Sequence, residues 1–249
     1  MFIHKDKFFK IYFGDASDKI FKEDFVSLPA NTNICNMQQF ANIKKNIKLD
    51  NLVFLNQVHG TDGLVLDSFG AGKEKVVENF KVDGDFLVTN IENVGIGVLT
   101  ADCLPIVFID IINNIVAVAH AGWRGSVDGI AIKTIESMQN NFGTKLDDIK
   151  IFFGPSIKSC CYKVADDFIK NLEAYKFADM VFIKNNDGVY FDLVEFNVRL
   201  LKEFGVKEEN IYLEYNLCTM CDKSCGQEFC SYRRGDKDGR QMTVVCLEF

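Results

Sequence analysis

The 249-residue sequence predicts one mixed α+β domain, and three observations predict it. Residues 106–112 and 115–119 are strongly apolar runs joined at Asn113-Asn114. Apart from Asp110 both faces of each run are apolar, the pattern of buried antiparallel strands around a turn whose Asn residues accept positive φ. Val127, Ile130, Ala131, Thr134, Ile135, Met138 and Phe142 then recur with the 3.6-residue period of a helix face. Finally, with only three Pro, no internal repeat and no Pro/Gly/Ser-rich linker, nothing marks a place to divide the chain.

In chain order, residues 1–50 are the least patterned part, rich in Lys and Asn, with apolar pieces at 8–13 and 26–28 and a short helix expected over 36–46. His4, near the terminus, is expected to be solvated. Residues 51–58 alternate as a strand, Val53, Leu55 and Gln57 on one face and Phe54, Asn56 and Val58 on the other, and run straight into His59-Gly60. Residues 61–80 read as a charged, Gly-containing loop with a short helix. Val82-Asp83-Gly84-Asp85 is a turn signal, and 86–89 and 94–99 are short strands. A hairpin turning at Asn113-Asn114 sets His120 opposite Val107. Cys103, just before a bend at Leu104-Pro105, then lies at the same end of the sheet as His120.

Ser126 suits the N-cap of the following helix and Gly143 its C′ position, so the helix start abuts Arg124 and His120 and offers an anion its backbone N–H groups. Residues 149–153 form a strand ending in Gly154-Pro155-Ser156, and a helix is expected over 166–175. Asp192-x-x-Glu195 opens another helix with Leu193, Phe196, Leu200 and Phe204 inward and Gly205 as its stop. Residues 211–214 and 242–247 are closing strands.

Composition removes several function classes. An apolar content of 48% with 23 Phe supplies a large core, and 25% charged residues are ordinary for a soluble chain. A net charge of −7 argues against a surface for the nucleic-acid backbone, so no nucleic-acid partner is expected. No apolar run approaches the roughly 18 residues that span a bilayer, so no membrane partner is expected either. The start, MFIHKDKFFKIYFGD, lacks the apolar stretch and cleavage site of a signal peptide. Nine Cys, an odd number, then read as reduced thiols of a cytoplasmic protein.

The chain has only three His, and two of them directly follow strands. With Cys103 they make a candidate ligand set, His59, Cys103 and His120, suited to zinc or copper and leaving a fourth position open. Two other readings compete. In one, Cys103 is a buried apolar side chain and the two His are unrelated; in the other, Cys103 is a nucleophile with His120 as base and Asp102 or Asp85 as orienter. Cys218, Cys221, Cys225 and Cys230 are spaced like part of a structural zinc cluster, but only one CxxC unit is present, so free thiols explain them equally well. Tyr232-Arg233-Arg234 and Arg240 form the densest cationic patch, either a solvated charge run or a holder of an anionic group.

Six segments carry a family resemblance: NQVHG (56–60), DGDFLVT (83–89), TADCLPI (100–106), AHAGWRG (119–125), FGPSI (153–157) and CSYRR with GRQ (230–234 and 239–241). In content, order and interval they resemble the YfiH/YlmD family, long labelled multicopper polyphenol oxidase or laccase-domain protein and now described as purine nucleoside phosphorylase. The resemblance implies a single domain of α/β/α layers around a mixed sheet, related to the deamidase domain of cytotoxic necrotising factor. It implies a catalytic zinc on His59, Cys103 and His120, ligands that could also take copper. Arg124, Arg233, Arg234, Asp85, Asp102 and Gln57 are the candidate substrate or phosphate contacts. The implied activities are phosphorolysis of adenosine, inosine, guanosine and methylthioadenosine, with hydrolytic deamination of adenosine. Some family members are also linked to peptidoglycan editing. The expected partners are a purine nucleoside and phosphate, and the expected assembly is a monomer or homodimer.

The chain departs from the family at an N-terminal Arg-x-Gly-Gly segment, where it has Tyr12-Phe13-Gly14-Asp15-Ala16-Ser17. For deamination, zinc-bound water with its pKa brought toward about 7 would attack C6 of adenine, with Asp102 or Asp85 moving protons. For phosphorolysis, Arg124, the helix start and Arg233 or Arg234 would hold phosphate. A metal-free Cys–His hydrolase using Cys103 on an amide, and a non-catalytic zinc module, are the alternatives. A multicopper oxidase needs a His2Cys copper site and a second, His-rich cluster; three His cannot furnish both, so laccase turnover is not expected.

Overall fold

Successive side chains of a strand point to opposite faces, and in this chain both faces are apolar along the central strands, so the sheets must be covered twice. The computed structural model describes residues 1–25, 32, 34–67, 79–223, 226 and 228–248. Its strands begin with β1 (Phe2–Lys5), β2 (Phe9–Phe13), β3 (Ile20–Phe21), β4 (Asn51–Phe54), β5 (Gly63–Leu66), β6 (Phe86–Thr89), β7 (Val94–Thr100) and β8 (Leu104–Asp110). They continue with β9 (Ile115–Ala121), β10 (Ile149–Phe153), β11 (Lys163–Val164), β12 (Phe182–Asn185), β13 (Gly188–Phe191), β14 (Ile211–Tyr212) and β15 (Gly239–Leu247). The α-helices are α1 (Ala41–Asn46), α2 (Trp123–Val127), α3 (Ile130–Phe142) and α4 (Leu193–Phe204).

Among the described residues the strands form two six-stranded sheets and one small one. The first sheet runs β1-β2-β15-β7-β4 with β3 on β15, the second β14-β10-β8-β9-β6-β5, and the small sheet β11-β13-β12. Pairing is mixed: β4 with β7, β5 with β6 and β10 with β14 are parallel, and β8 with β9 and β15 with β7 are antiparallel. The two large sheets lie face to face, Ile11, Val98 and Val245 of the first meeting Val107, Val118 and Phe152 of the second. Ile106, Phe108 and Ala117 on the other face of the second sheet pack under Ile135 and Met138 of α3 and Phe196 of α4. Tyr12, Phe54 and Val244 of the first sheet are covered by Phe40 and Ile43 at α1. The mixed α/β class is therefore present, and the middle of the helix–sheet–helix stack is doubled. Every residue of β8 and β9 is buried, which is why those segments read as unbroken apolar runs.

Local signals place several elements as expected. Strands β6 and β10 have the expected bounds, and β7 extends one residue further, to Thr100. At α4 the Asp192 carboxylate accepts the N–H of Glu195 at 2.9 Å, and Gly205 ends the helix in the left-handed region. The strand expected over 51–58 is β4, prolonged by an isolated bridge between Asn56 and Asp83. The helices expected over 36–46 and 166–175 form only in part: α1 follows two short 3-10 turns, and 166–172 is 3-10 throughout.

Five expectations are corrected. The β8–β9 turn is not the two-residue Asn113-Asn114 turn; it spans 111–114, because the Asp110 carboxylate accepts both the backbone N–H and the side-chain amide of Asn113. His120 consequently pairs with Pro105 rather than Val107. The helix does not start at Ser126: α2 is capped at Gly122, and Gly129, with φ of +84°, separates it from α3. A five-residue α2 cannot serve as the expected anion-binding helix end. His4 is not a loose terminal side chain; it stacks on Phe9 and bonds the Tyr215 hydroxyl at 3.0 Å. Sequence reading missed β5, which lies where a loop was expected, and β11, β12 and β13, all of them short. The apolar piece at 26–28 and most of the helix expected within 61–80 fall outside the described residues. Among the described residues no helix is long and apolar enough to cross a membrane.

Phe108 lies in the doubly covered strand β8 and is fully buried. Phe108→Ala is expected to lower stability by about 3–5 kcal/mol. The loss should appear as a lower urea midpoint at unchanged m-value, and a smaller shift than a third of that would contradict the packing described here.

Candidate metal centre

His120 is the penultimate residue of β9 and is 3% exposed. Leu104 pairs with Ala121, so Cys103, one residue before β8, comes level with Gly122. A Cβ on Gly122 would stand 3.2 Å from Cys103 Sγ and 3.1 Å from His59 Cδ2, so any larger residue would press on both side chains. His59 arrives from the first sheet, on the segment after β4, and its φ of +63° is one that few residues other than glycine adopt.

That conformation is held by Asp85, which is 1% exposed. Its carboxylate accepts the backbone N–H groups of Val58 at 3.2 Å, His59 at 3.0 Å and Gly60 at 2.7 Å. It also accepts Nδ1–H of His120 at 2.8 Å, which leaves Nε2 of that ring as the ligating nitrogen. Burial works against the Asp85 charge, but these donors outweigh it and hold the carboxyl below its usual range.

The ligand atoms of His59, Cys103 and His120 all lie within 4.8 Å of one another, and the two imidazole rings meet edge to face at 4.8 Å. Burial alone pushes the Cys103 thiol up; the imidazoles of His120 and His59 override it and bring the thiol down to about 6. Burial lowers His120, and the Cys103 sulfur and Asp85 carboxylate more than reverse this, raising it to about 9. Without a metal the site is thus a thiolate–imidazolium pair near neutral pH. One thiolate and two imidazoles, one of them oriented by a carboxylate, fit zinc with a coordination position to spare, and also accept copper.

A cavity of about 580 Å³ opens over these residues. Phe80, Trp123, Tyr162 and Tyr232 supply aromatic wall, and Lys81, Arg124, Arg233 and Arg240 supply positive charge. The Arg124 guanidinium lies 4.7 Å from the Trp123 ring, and that of Arg233 lies 5.1 Å from the Tyr162 ring. Burial, reinforced by the nearby Cys103 sulfur, pushes the Tyr162 hydroxyl far up, so it stays protonated.

The structure separates the residues expected to touch substrate. Arg124 and Arg233 face the cavity. Arg234 does not line it: its guanidinium is bound by the carbonyls of Thr219, Met220 and Phe229 and by Asp236. Gln57 lines the cavity, yet its amide is spent on both backbone groups of Leu99, at 2.8 Å each. Asp102 lines it with φ of +88° and both carboxylate oxygens engaged, one by the Thr219 hydroxyl at 2.6 Å and one by the Arg233 N–H at 2.8 Å. Asp85 sits behind His120, already holding four donors. Sequence reading missed Phe80 and Lys81, whose place depends on the bridge from Asn56 to Asp83 and carries no local signal. It also missed Trp123 and Tyr162.

Comparison with known proteins shows the family to which the chain belongs. The family model described as multi-copper polyphenol oxidoreductase laccase matches residues 30–248. A purine nucleoside phosphorylase of Clostridium acetobutylicum is 29% identical over 238 residues, 96% of this chain and 91% of that protein. An adenosine deaminase, RL5, from an unknown prokaryotic organism is 35% identical over 206 residues, 80% of this chain and 76% of that protein. The crystal structure of the Bacillus licheniformis hypothetical protein YfiH superposes with a TM-score of 0.75 at 27% identity, covering 96% of this chain and 93% of that one. The chain therefore belongs to the multi-copper polyphenol oxidoreductase laccase family, the YfiH/YlmD group in which curated relatives bear the name purine nucleoside phosphorylase.

Proposed function

We propose that this chain is a zinc-dependent purine nucleoside phosphorylase that also deaminates adenosine. The observation that carries the reading is the convergence of His59, Cys103 and His120 at a cavity walled by cations and aromatic rings. The names of the relatives, phosphorylase and adenosine deaminase, support the same pair of reactions. When bound, zinc supplies a Lewis acid with a position open to water or a substrate atom.

The chain's own residues do the rest. Aromatic faces of the cavity offer stacking surface to a purine, an interaction worth about 1–3 kcal/mol per base in other proteins. Arg124, Arg233, Arg240 and Lys81 concentrate positive charge where phosphate must approach C1′ of the sugar. Phosphorolysis breaks the bond from C1′ to the purine nitrogen and forms one from C1′ to a phosphate oxygen. The departing purine needs a proton or hydrogen bond, and Tyr162, held protonated beside the centre, is a donor within the cavity. Asp102 acts by bracing Arg233 and the loop at Thr219. Asp85 positions His120 and His59. The same reading places the protein in the cytoplasm, where its thiols stay reduced. Copper can enter the same ligands, but the third His of the chain packs against Phe9 and Phe152, so no His-rich copper cluster accompanies them.

A second reading rests on a specific arrangement: Cys103, His120 and Asp85 are also a thiolate, an imidazolium and an orienting carboxylate, the parts of a Cys–His amide hydrolase. Chelation separates the two, since loss of activity restored by Zn2+ supports the phosphorylase and indifference supports the hydrolase.

His120→Ala is expected to lose zinc and to reduce phosphate-dependent release of adenine from adenosine to background. A metal-free variant that keeps this activity would refute the scheme. Asp85→Asn removes the charge behind His120 and is expected to weaken zinc binding by about 10–100-fold, measured by competition with a chelating dye. In metal-stripped protein, alkylation of Cys103 by iodoacetamide should rise with pH through a midpoint near 6. A lowered thiol pKa means that the reactive thiolate forms at lower pH than an ordinary cysteine's, so a midpoint at 9.0 would contradict the ion pair.

A further inference from the structure

Of the cysteines of the C-terminal segment, Cys218 and Cys221 lie together and Cys230 lies apart from them. Cys230 turns its thiol onto Gly239 and gives its backbone N–H to the Gln241 side chain. Cys225 lies outside the described residues. Cys218 and Cys221 instead meet Cys160 and Cys161. Cys160 Sγ and Cys221 Sγ stand 3.5 Å apart across a sequence separation of 61, and the four sulfurs all lie within 4.8 Å of one another.

We infer that Cys160, Cys161, Cys218 and Cys221 form a second metal site, a closed tetrathiolate that takes zinc and has a structural role. A tetrahedral zinc with Zn–S of about 2.3 Å holds its sulfurs about 3.8 Å apart, close to the spacing seen. A disulfide needs about 2.05 Å, and the Cys160–Cys221 pair is far outside that. The four donors come as two close pairs on two loops: Cys218-x-x-Cys221 has the usual spacing of a structural zinc pair, and the second pair, Cys160-Cys161, is adjacent. Four sulfur ligands leave no position for substrate, and none is shared with His59, Cys103 and His120, so the site stands independently of the proposed reaction.

Its place explains its use. Residues 154–161 and 216–221 are loops that meet through a single bridge between Ser156 and Cys218 and a few bonds around it. Asn216 reaches the Gly154 carbonyl at 2.6 Å, and Thr219 N–H reaches the Ser156 carbonyl at 3.1 Å. From these loops Ile157 N–H and the Thr219 hydroxyl both bond Asp102, and Tyr162 follows Cys161 directly into the cavity wall. A metal across the four thiols fastens that wall.

Elemental analysis tests the assignment on the whole protein, purified from zinc-containing medium and dialysed against metal-free buffer. Wild type is expected to carry two zinc per chain. The double variant His59→Ala/His120→Ala should lose one and retain one, and Cys218→Ser/Cys221→Ser should lose the other. Cobalt loaded into the double-His variant should give sulfur-to-metal charge-transfer absorption. If the Cys variant does not fold, the double-His variant decides alone. A double-His variant without bound metal overturns the inference, as does a chain 2 Da lighter whose missing hydrogens return with reductant. Failure of the proposed reaction would show instead as a double-metal protein without nucleoside turnover.

Discussion

One buried carboxylate holds the candidate centre together. Asp85, at the head of β6, gathers the ring N–H of His120 from β9 and three successive backbone N–H groups from residues 58–60. An isolated carboxylate in that place would be strongly unfavourable, and four donors make it a stable anion instead. The same four bonds fix the ring orientation of His120 and keep His59 in a backbone conformation that it would otherwise leave. Ligands from different sheets thereby converge, since β4, which leads to His59, belongs to the first sheet, and β6, β8 and β9 to the second.

The doubled sheet sets where such a centre can be. Strands β8 and β9 are buried throughout, so polar chemistry is admitted only at their ends, where Cys103 and His120 stand. The cavity there collects positive charge in a chain of net charge −7. A low-dielectric wall around such a concentration focuses the field on an incoming anion, a local effect that the overall charge conceals. Arginine planes lying over Trp123 and Tyr162 keep two of those cations in fixed positions.

The thiols that gather with other candidate ligands fall into two chemical groups. Cys103 is one sulfur among nitrogens, with room for a further ligand, whereas Cys160, Cys161, Cys218 and Cys221 are four sulfurs grouped without an imidazole or carboxylate. The loops that carry the second group have little regular secondary structure of their own, and the side chains they support, Asp102 and Tyr162, reach the cavity. Rigidity there has to come from side-chain links, because a loop without a ladder of backbone bonds is otherwise easily opened.

Much of this was legible from residues alone. The bounds of β6 and β10, the Asp192 cap and the Gly205 stop are local signals, decided by neighbours within a few residues. So was the gathering of Cys103 and His120, even though the hairpin register was displaced by two, because an even shift leaves every side chain on its original face. What lay beyond the sequence were matters of distance: the Asp110 side chain that widens the turn, the engagement of Arg234 by backbone carbonyls, the packing of His4 on Phe9, and the partners of Cys218 and Cys221. Periodicity, caps and motif residues by themselves determined the class of fold and the identity of three ligand candidates. Only the tertiary structure decided which thiols meet, which cations are already occupied, and that Asp85 stands behind the centre, because those depend on contacts between segments whose separation along the chain carries no spatial information.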